Sequence, residues 1–138
     1  VDTQPTRDSM ILSNALVAAD YVLIPMMCDS FSEDSAFRTY SICNELRKNP
    51  KTNLKGIGVI LTMVDKGAAT RETREECQRV LGSTLFKTEI PSALAVKTSV
   101  RRCVPVCYSA KTQPIGRSYV AAYKELKQRL EKLDKEEK

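Results

Sequence analysis

The sequence predicts an α/β protein in which helices cover a parallel sheet, and two observations support this class. Two continuous apolar runs, 21–26 and 57–64, are typical of strands that are buried on both faces of a parallel sheet. Helical segments alternate with these runs, and alternating strands and helices connect by right-handed crossovers. We therefore predict a three-layer α/β/α arrangement. A length of 138 residues suits one domain with its own core.

The first half of the chain is predicted to hold two helices around one strand. Apolar residues recur at helical spacing over 9–19, which predicts a helix that leads directly into the strand at 21–26. Acidic residues in the turn after Ser32 predict the start of a second helix. The pair Asn49-Pro50 predicts its end, because proline disfavours a helical residue before it.

The second half is predicted to hold further strands and helices in the same alternation. The run from Lys55 to Asp65 is the clearest strand, and Thr70 to Leu81 is a helix closed by Gly82. Further along we predict a strand at 85–90, a short helix at 92–101, an edge strand or extended segment at 104–108, and a closing helix at 115–133. Proline at position 105 argues against a central place in the sheet for the 104–108 segment.

Composition excludes several functional classes. The chain has no histidine, so Ser-His and Cys-His nucleophilic catalysis are excluded. The five cysteines are an odd number at sparse spacing, which favours reduced thiols and a cytoplasmic location over disulfides or a zinc site. No apolar run approaches the ~20 residues that span a bilayer, and we expect no membrane partner. The net charge of +5 is compatible with an anionic partner.

Polar residues follow the predicted strands, where open parallel sheets bind their ligands. Asp2 follows Val1, which we interpret as the end of a strand, and its carboxylate could hold Mg²⁺ through water or form a simple turn. Thr62 and Asp65 could face the edge of a base, or they could merely end a strand. Pro91 could pack on a purine ring or only stop the strand before it.

The glycines do not form a phosphate-binding loop. None of the five lies in a G-x-x-x-x-G-K-[ST] run, and Gly56-x-Gly58 falls inside a strand, where it indicates close packing. Phosphoryl transfer depends on the backbone N–H groups and lysine of such a loop for electrostatic stabilisation. We therefore predict that this chain alone is not an ATPase.

Four motifs, in order, resemble the ParA/Soj (MinD-like) family of partitioning ATPases. They are Asp2-Thr3-Gln4-Pro5, Asn14 to Pro25, Ile57 to Asp65, and Phe86 to Pro91, and the likeness extends to about Leu130. The resemblance implies a partial P-loop NTPase-like fold of the SIMIBI type that lacks its Walker A half. Residues 1–133 would then be the C-terminal portion of the nucleotide-binding domain, and 134–138 a frayed tail.

The resemblance also implies a function for the complete protein. That protein would bind ATP and Mg²⁺, dimerise with ATP, bind DNA non-specifically, and act with a ParB/Spo0J-like partner in chromosome or plasmid partition. Asp2 maps to the Walker B aspartate, a catalytic and metal-binding position. Thr62, Met63 and Pro91 map near the adenine pocket. Asp65 is added to these predicted nucleotide-contacting residues because it follows the same strand as Thr62 and Met63. We expect this chain alone to bind neither ATP nor Mg²⁺.

The chain departs from the family pattern at positions that lie near dimer and DNA contacts in the family, namely Gln4, Met27, Ser92 and Thr98. A replacement phosphate-contacting surface could come from Lys97, Arg101 and Arg102, which could equally be a solvated basic face. An alternative function is a diverged, non-catalytic binding module that keeps the half-fold. We also expect self-association through apolar strand edges, as an edge-paired or strand-swapped dimer.

Overall fold

A computed structural model describes residues 10–136 of the chain, with side chains to residue 135. The elements are α1 (Met10–Ala18), β1 (Tyr21–Met27), α2 (Ser30–Lys48), β2 (Gly56–Thr62), α3 (Ala68–Leu81), α4 (Leu94–Arg101), α5 (Val106–Ser109) and α6 (Pro114–Glu136), with a 3-10 turn at Gly82–Thr84. This alternation confirms the predicted α/β class. The segment from Val1 to Pro5 lies outside the described residues.

The sheet that these elements form has two parallel strands. Tyr21 pairs with Gly56 and Met27 with Thr62. The amide of Gly56 donates to the carbonyl of Asp20 at 3.2 Å, so the even-numbered residues of β1 direct their backbone groups towards β2. The odd-numbered residues direct theirs to the opposite side, which no strand among residues 10–136 covers. We call this side the open edge, and its residues are Tyr21, Leu23, Pro25 and Met27.

The strand predicted at 85–90 does not form as a continuous strand. The segment makes only two isolated parallel bridges with the β2 region, Val59 with Leu85 and Val64 with Pro91. Between them, the amides of Lys87 and Thr88 each donate to the Glu125 carboxylate of α6 at 2.9 Å. The amides of Phe86 and Ile90, on either side, donate to the carbonyls of Val59 and Leu61 of β2 at 2.8 and 2.9 Å, so the ladder is interrupted between them, where α6 takes the donors. We call this side of the sheet, residues 83–92, the capped edge.

Residues 106–108 lie in α5 and only 104–105 are non-helical, so the prediction of an edge strand or extended segment over 104–108 was wrong for most of the segment. Pro105 is the N-cap of α5, and its carbonyl accepts from the amides of Tyr108 and Ser109 at 2.9 and 3.0 Å. Proline suits the start of a helix because the first helical turn needs no donor there. The property that argued against a central strand therefore favours a helical turn at this point.

The core consists of two apolar clusters on opposite faces of β2. Ile57, Val59 and Leu61 belong to a cluster with residues of α1, α2 and α3. Ile60 belongs to the other cluster, with Phe86, Ile90 and residues of the last helices. Since side chains alternate along a strand, the two sets of helices cover the two faces of β2. On β1 only the face that α1, α2 and α3 cover is well buried. On the other face, Leu23 and Met27 remain 39% and 41% exposed.

Two glycines allow a close approach on the α6 side of β2, as the sequence predicted. A Cβ atom on Gly56 would lie 2.6 Å from both the Leu133 and Tyr21 side chains, and one on Gly58 would meet the Phe86 ring and the Tyr21 hydroxyl. Any other residue at either position would displace these neighbours. Gly82, which ends α3, has a φ of +50°, the conformation that glycine adopts most readily.

Candidate functional site

The carboxyl ends of the strands bring the predicted nucleotide-contacting residues together. Thr62 ends β2, and Met63 and Asp65 follow it within three residues. The Val64–Pro91 bridge adds the third segment, because the Val64 amide donates to Ile90 at 3.1 Å and the Ser92 amide donates to Val64 at 2.9 Å. Thr62, Met63, Asp65 and Pro91 therefore lie along one edge of the sheet.

Two of these side chains are engaged in structural hydrogen bonds. The Thr62 hydroxyl donates to the Met26 carbonyl at 3.2 Å and so ties β2 to β1. The Asp65 carboxylate accepts from the Thr70 hydroxyl at 2.5 Å and from the Gly67 amide at 2.8 Å. These two bonds lower the pKa of Asp65, with Thr70 as the larger cause. Asp65 therefore holds the start of α3 as an ionised group at neutral pH.

Met63 is the residue at this edge that is available to a ligand. Its φ of 53° lies in the left-handed region, which costs a non-glycine residue roughly 1–2 kcal/mol. Its side chain is 64% exposed, although methionine is usually buried. The flanking bonds of Thr62 and Asp65 hold this conformation in place. The edge thus presents an apolar, accessible side chain beside half-buried Pro91.

An ion pair joins α3 to the segment just before Pro91. The sequence did not reveal the two residues as partners. Arg74 on α3 donates through Nε and Nη2 to the two carboxylate oxygens of Glu89, at 2.6 and 2.9 Å. The bond to Glu89 raises the pKa of Arg74. The position of Glu89 at the end of the strand predicted at 85–90 was the available signal. Its partner lies 15 residues earlier on a helix, and no local pattern indicates that contact.

Three cysteine thiols, of Cys28, Cys43 and Cys77, are protonated at neutral pH. Burial raises the pKa of Cys77 to about 12 and that of Cys43 to about 11. Burial also raises the pKa of Cys28, at the end of β1, with a further contribution from Glu89. All five cysteines are free. Protonated, shielded thiols are poor nucleophiles, so these three side chains act as small apolar groups.

The described residues suit the base of a nucleotide better than its phosphates. Met63 and Pro91 offer an apolar contact of the kind that a purine ring uses. No group of three or more histidine, cysteine or acidic side chains within residues 10–136 could hold a metal ion. Asp2, the predicted catalytic and metal-binding residue, lies outside the described residues. Its role therefore stays a prediction.

The predicted DNA-contacting residues lie on a different element. Lys97 and Arg101 are one helical turn apart on α4, and Arg102 caps its end. All three are exposed, and none forms an ion pair with another described residue. The contacts described here do not join them to the carboxyl edge of the sheet.

A wider basic segment surrounds these three residues, and the sequence shows it directly. Residues 90–124 contain six basic and no acidic side chains, the others being Lys111, Arg117 and Lys124. The chain's net charge of +5 therefore resides in this stretch, and the remainder has a net charge of −1, from 16 basic and 17 acidic residues. Because α5 contacts both α4 and α6, the segment forms a connected part of the surface. We call it the basic segment.

No helix within residues 10–136 combines the length and apolar character needed to cross a membrane. The longest, α6, carries charged side chains throughout its second half.

These features define the chain as an α/β protein with a candidate ligand edge after its parallel strands. It is 30% identical over 94 residues to the sporulation initiation inhibitor protein Soj of Bacillus subtilis (strain 168), which covers 66% of this chain and 36% of Soj. It is 27% identical over 131 residues to the chromosome partitioning protein ParA of Myxococcus xanthus (strain DK1622), which covers 94% of this chain and 46% of ParA. No protein-family model matches the chain.

The two similarities confirm the resemblance that the four motifs indicate, and the chain is related to the ParA/Soj family of partitioning proteins. The chain spans less than half the length of each of these relatives.

Proposed function

We propose that this chain is the C-terminal part of a ParA/Soj-like partitioning protein. When complete, that protein would use ATP-driven dimerisation and non-specific DNA binding, with a ParB-like partner, to segregate chromosomal or plasmid DNA. The observation that carries the proposal is the similarity to ParA over 94% of the chain. The α/β architecture and the assembly of Thr62, Met63 and Pro91 at the carboxyl edge support it.

At that edge, the chain would supply the base side of an ATP site. Met63 and Pro91 would contact the adenine ring, while Thr62 and Asp65 position the turn that carries Met63. Asp2 would hold Mg²⁺ through water, and the ion would neutralise charge on the phosphates. The phosphates also need a glycine-rich loop, which the 138 residues do not contain.

A chimeric protein tests this proposal. In it, the chain would replace the matching 131-residue region of the Myxococcus ParA. We expect the chimera to bind ATP with Mg²⁺, and the melting temperature to rise with nucleotide concentration by mass action. Met63→Glu should abolish most of the rise, because it places a charge against the base. Leu94→Glu, the same kind of change at another exposed apolar position, on α4, should retain it.

The alternative is a non-catalytic binding module that keeps the half-fold. It is favoured by the hydrogen bonds of Thr62 and Asp65, whose polar groups are already engaged within the chain. A chimera that folds but shows no melting shift at saturating ATP and Mg²⁺ would support this alternative.

The basic segment would be the DNA-contacting surface. Lys97, Arg101 and Arg102 are exposed cations without acidic partners, and each phosphate contact releases a counterion. Replacing the three with glutamine should weaken binding of a labelled duplex and reduce the slope of log K against log salt by about 2–3. A matched control replaces three exposed cations at the end of α2, namely Arg47, Lys48 and Lys51. Equal loss in both variants would indicate net charge alone and not a site.

A further inference from the structure

The two oxygens of the Asp65 carboxylate are bonded unequally. One oxygen, Oδ1, accepts both from the Thr70 hydroxyl at 2.5 Å and from the Gly67 amide at 2.8 Å. The other oxygen, Oδ2, accepts from no side chain or amide among the described residues. Because a carboxylate oxygen has two lone pairs, Oδ1 is saturated and Oδ2 keeps its acceptor sites. Asp65 therefore offers one oxygen, and not two, to a ligand at the carboxyl edge.

Thr70 fixes this inequality from inside the fold. It is the third residue of α3 and is only 4% exposed. A rotation of the carboxylate that frees Oδ1 would leave the buried Thr70 hydroxyl without its partner, which is unfavourable. The amide of Gly67 restrains the same oxygen. The chain itself thus sets the orientation of the Asp65 carboxylate before any ligand binds.

The two purine bases need different acceptors at such a carboxylate. Guanine presents two adjacent donors on its Watson–Crick edge, N1–H and the N2 amino group, and a carboxylate satisfies both only with two free oxygens. Adenine presents one donor, the N6 amino group, beside the acceptor N1, so a single oxygen is enough. A carboxylate with one saturated oxygen therefore suits adenine and leaves one guanine donor without an acceptor.

Asp65 lies close in sequence and in space to the residues that would contact the base. It follows Met63 by two residues, and Val64 between them forms the bridge to Pro91. The apolar contacts and the carboxylate thus belong to one short stretch of the carboxyl edge. A base placed against Met63 and Pro91 would have its polar edge within reach of this turn.

We propose that Thr70 selects adenine over guanine nucleotides, as a positioning residue that keeps Oδ1 of Asp65 away from the base. The inference rests on the nucleotide-binding role proposed above and adds to it the choice between two purines. Thr70 does not touch the base in this arrangement. Selection follows because a base whose polar groups stay unpaired in a bound site is rejected.

The ratio of the GTP and ATP dissociation constants of the chimera described above tests the role of Thr70. Isothermal titration calorimetry with Mg²⁺ measures both constants. We expect the wild-type chimera to bind ATP roughly tenfold more tightly than GTP, because guanine leaves one donor unpaired. Thr70→Val keeps the shape of the side chain without the hydroxyl and should lower this ratio about fivefold. Thr70→Ser keeps the hydroxyl and should retain the wild-type ratio.

The matched control is Thr73→Val on the same helix. Thr73 is also a buried threonine, 8% exposed, but its hydroxyl donates to Glu33 at 3.3 Å. This variant should leave the ratio unchanged. An unchanged ratio in Thr70→Val, or equal binding of ATP and GTP by the wild-type chimera, would overturn selection by Thr70 and leave the proposed ATP site intact. A folded chimera that binds neither nucleotide would overturn both proposals.

A second measurement uses the 138-residue chain without nucleotide. The bond from Thr70 is the largest cause of the lowered pKa of Asp65, so the carboxyl carbon of Asp65 should titrate at higher pH in Thr70→Val than in wild type. In Thr70→Ser and Thr73→Val it should titrate as in wild type. The same Asp65 pKa in Thr70→Val and wild type would show that the hydroxyl does not hold the carboxylate. That result would overturn the inference independently of nucleotide binding.

Discussion

The two edges of this sheet satisfy their backbone groups in different ways. At the capped edge, the Glu125 carboxylate accepts the amides of Lys87 and Thr88, each at 2.9 Å. At the open edge, residues 10–136 supply no such partner, and the device that limits pairing is Pro25. One helix side chain thus ends the sheet on one side, whereas on the other side the sheet can continue.

The cap is reinforced by Arg129, one helical turn after Glu125. Its guanidinium donates to the carbonyls of Ser83 and Leu85 at 2.9 and 2.7 Å and lies 4.3 Å from the centre of the Phe86 ring. It also pairs with Glu125 at 2.9 Å. Side chains of α6 therefore hold the amides of Lys87 and Thr88 and the carbonyls of Ser83 and Leu85, while the Phe86 amide still donates to Val59 of β2 at 2.8 Å. Ionic side chains of a helix can therefore close a sheet edge without another strand.

The largest expected effect comes from breaking the cap. Glu125→Gln removes the charge that holds two amides and Arg129, and we expect it to lower the free energy of unfolding by about 2–3 kcal/mol. This is less than the 3–5 kcal/mol of a fully buried pair, because the Glu125 and Arg129 side chains are 15% and 22% exposed. Urea unfolding measures it. Glu131→Gln, which removes an exposed pair with Lys127 on the same helix, is the control and should change little.

The second prediction concerns pH. Burial alone would raise the pKa of Glu125, but hydrogen bonds from Lys87, Thr88 and Arg129 outweigh it and lower the pKa from its usual 4.5. A lowered pKa in the folded state stabilises the fold above pH 4.5, and this contribution disappears as pH falls through the folded-state pKa. The difference in unfolding free energy between wild type and Glu125→Gln should therefore shrink below pH 4.5. A constant difference from pH 7 to pH 3 would contradict the cap.

The third prediction tests whether the β1 backbone at the open edge pairs between two copies. Pro25→Val returns the missing donor, which would add one hydrogen bond per copy to the edge-paired dimer expected from the sequence, and we expect about tenfold tighter self-association. Sedimentation velocity over a dilution series measures it. Met27→Leu changes a side chain at the same edge but no donor, and should shift association less than twofold. Unchanged association of Pro25→Val would mean that the β1 backbone does not pair between copies.

The smallest effect is expected at the brace between α3 and the capped edge. The Arg74 and Glu89 side chains are 40% and 29% exposed, so the coupling energy of their ion pair should be below about 1 kcal/mol despite its two bonds. A double-mutant cycle with Arg74→Gln and Glu89→Gln measures the coupling. A coupling as large as the loss in Glu125→Gln would show that the cap is not the main support of this edge.

The sequence predicted the elements whose signals are local. The apolar runs of β1 and β2 and the capping residues of the helices lie within single windows of sequence. The 85–90 strand failed because the deciding group, Glu125, lies 37 residues after Thr88. A β pattern cannot show that a distant carboxylate will take the strand's donors.

In the candidate site too, the residues with local sequence signals were predicted and the contacts between distant residues were not. Thr62, Met63, Asp65 and Pro91 were predicted because each lies just after a strand-like run, and the structure brings them to one edge. Their proposed contact with a nucleotide stays a prediction. Arg74 was missed because helical periodicity does not identify its partner. The basic segment was only partly recognised, although the absence of acidic residues from 90–124 is visible in the sequence.

The absence of a side chain at Gly58 makes the neighbouring Tyr21 phenol useful for optical measurements. Because Gly58 has no side chain, the hydroxyl of Tyr21 on β1 and the ring of Phe86 on the capped edge both occupy the space that a Cβ atom would fill. Burial raises the pKa of the Tyr21 phenol, and the positive charge of Arg129 partly offsets this. The chain has no tryptophan and five tyrosines. The ultraviolet titration of this one phenol is thus a built-in optical reporter that spans both sides of the sheet.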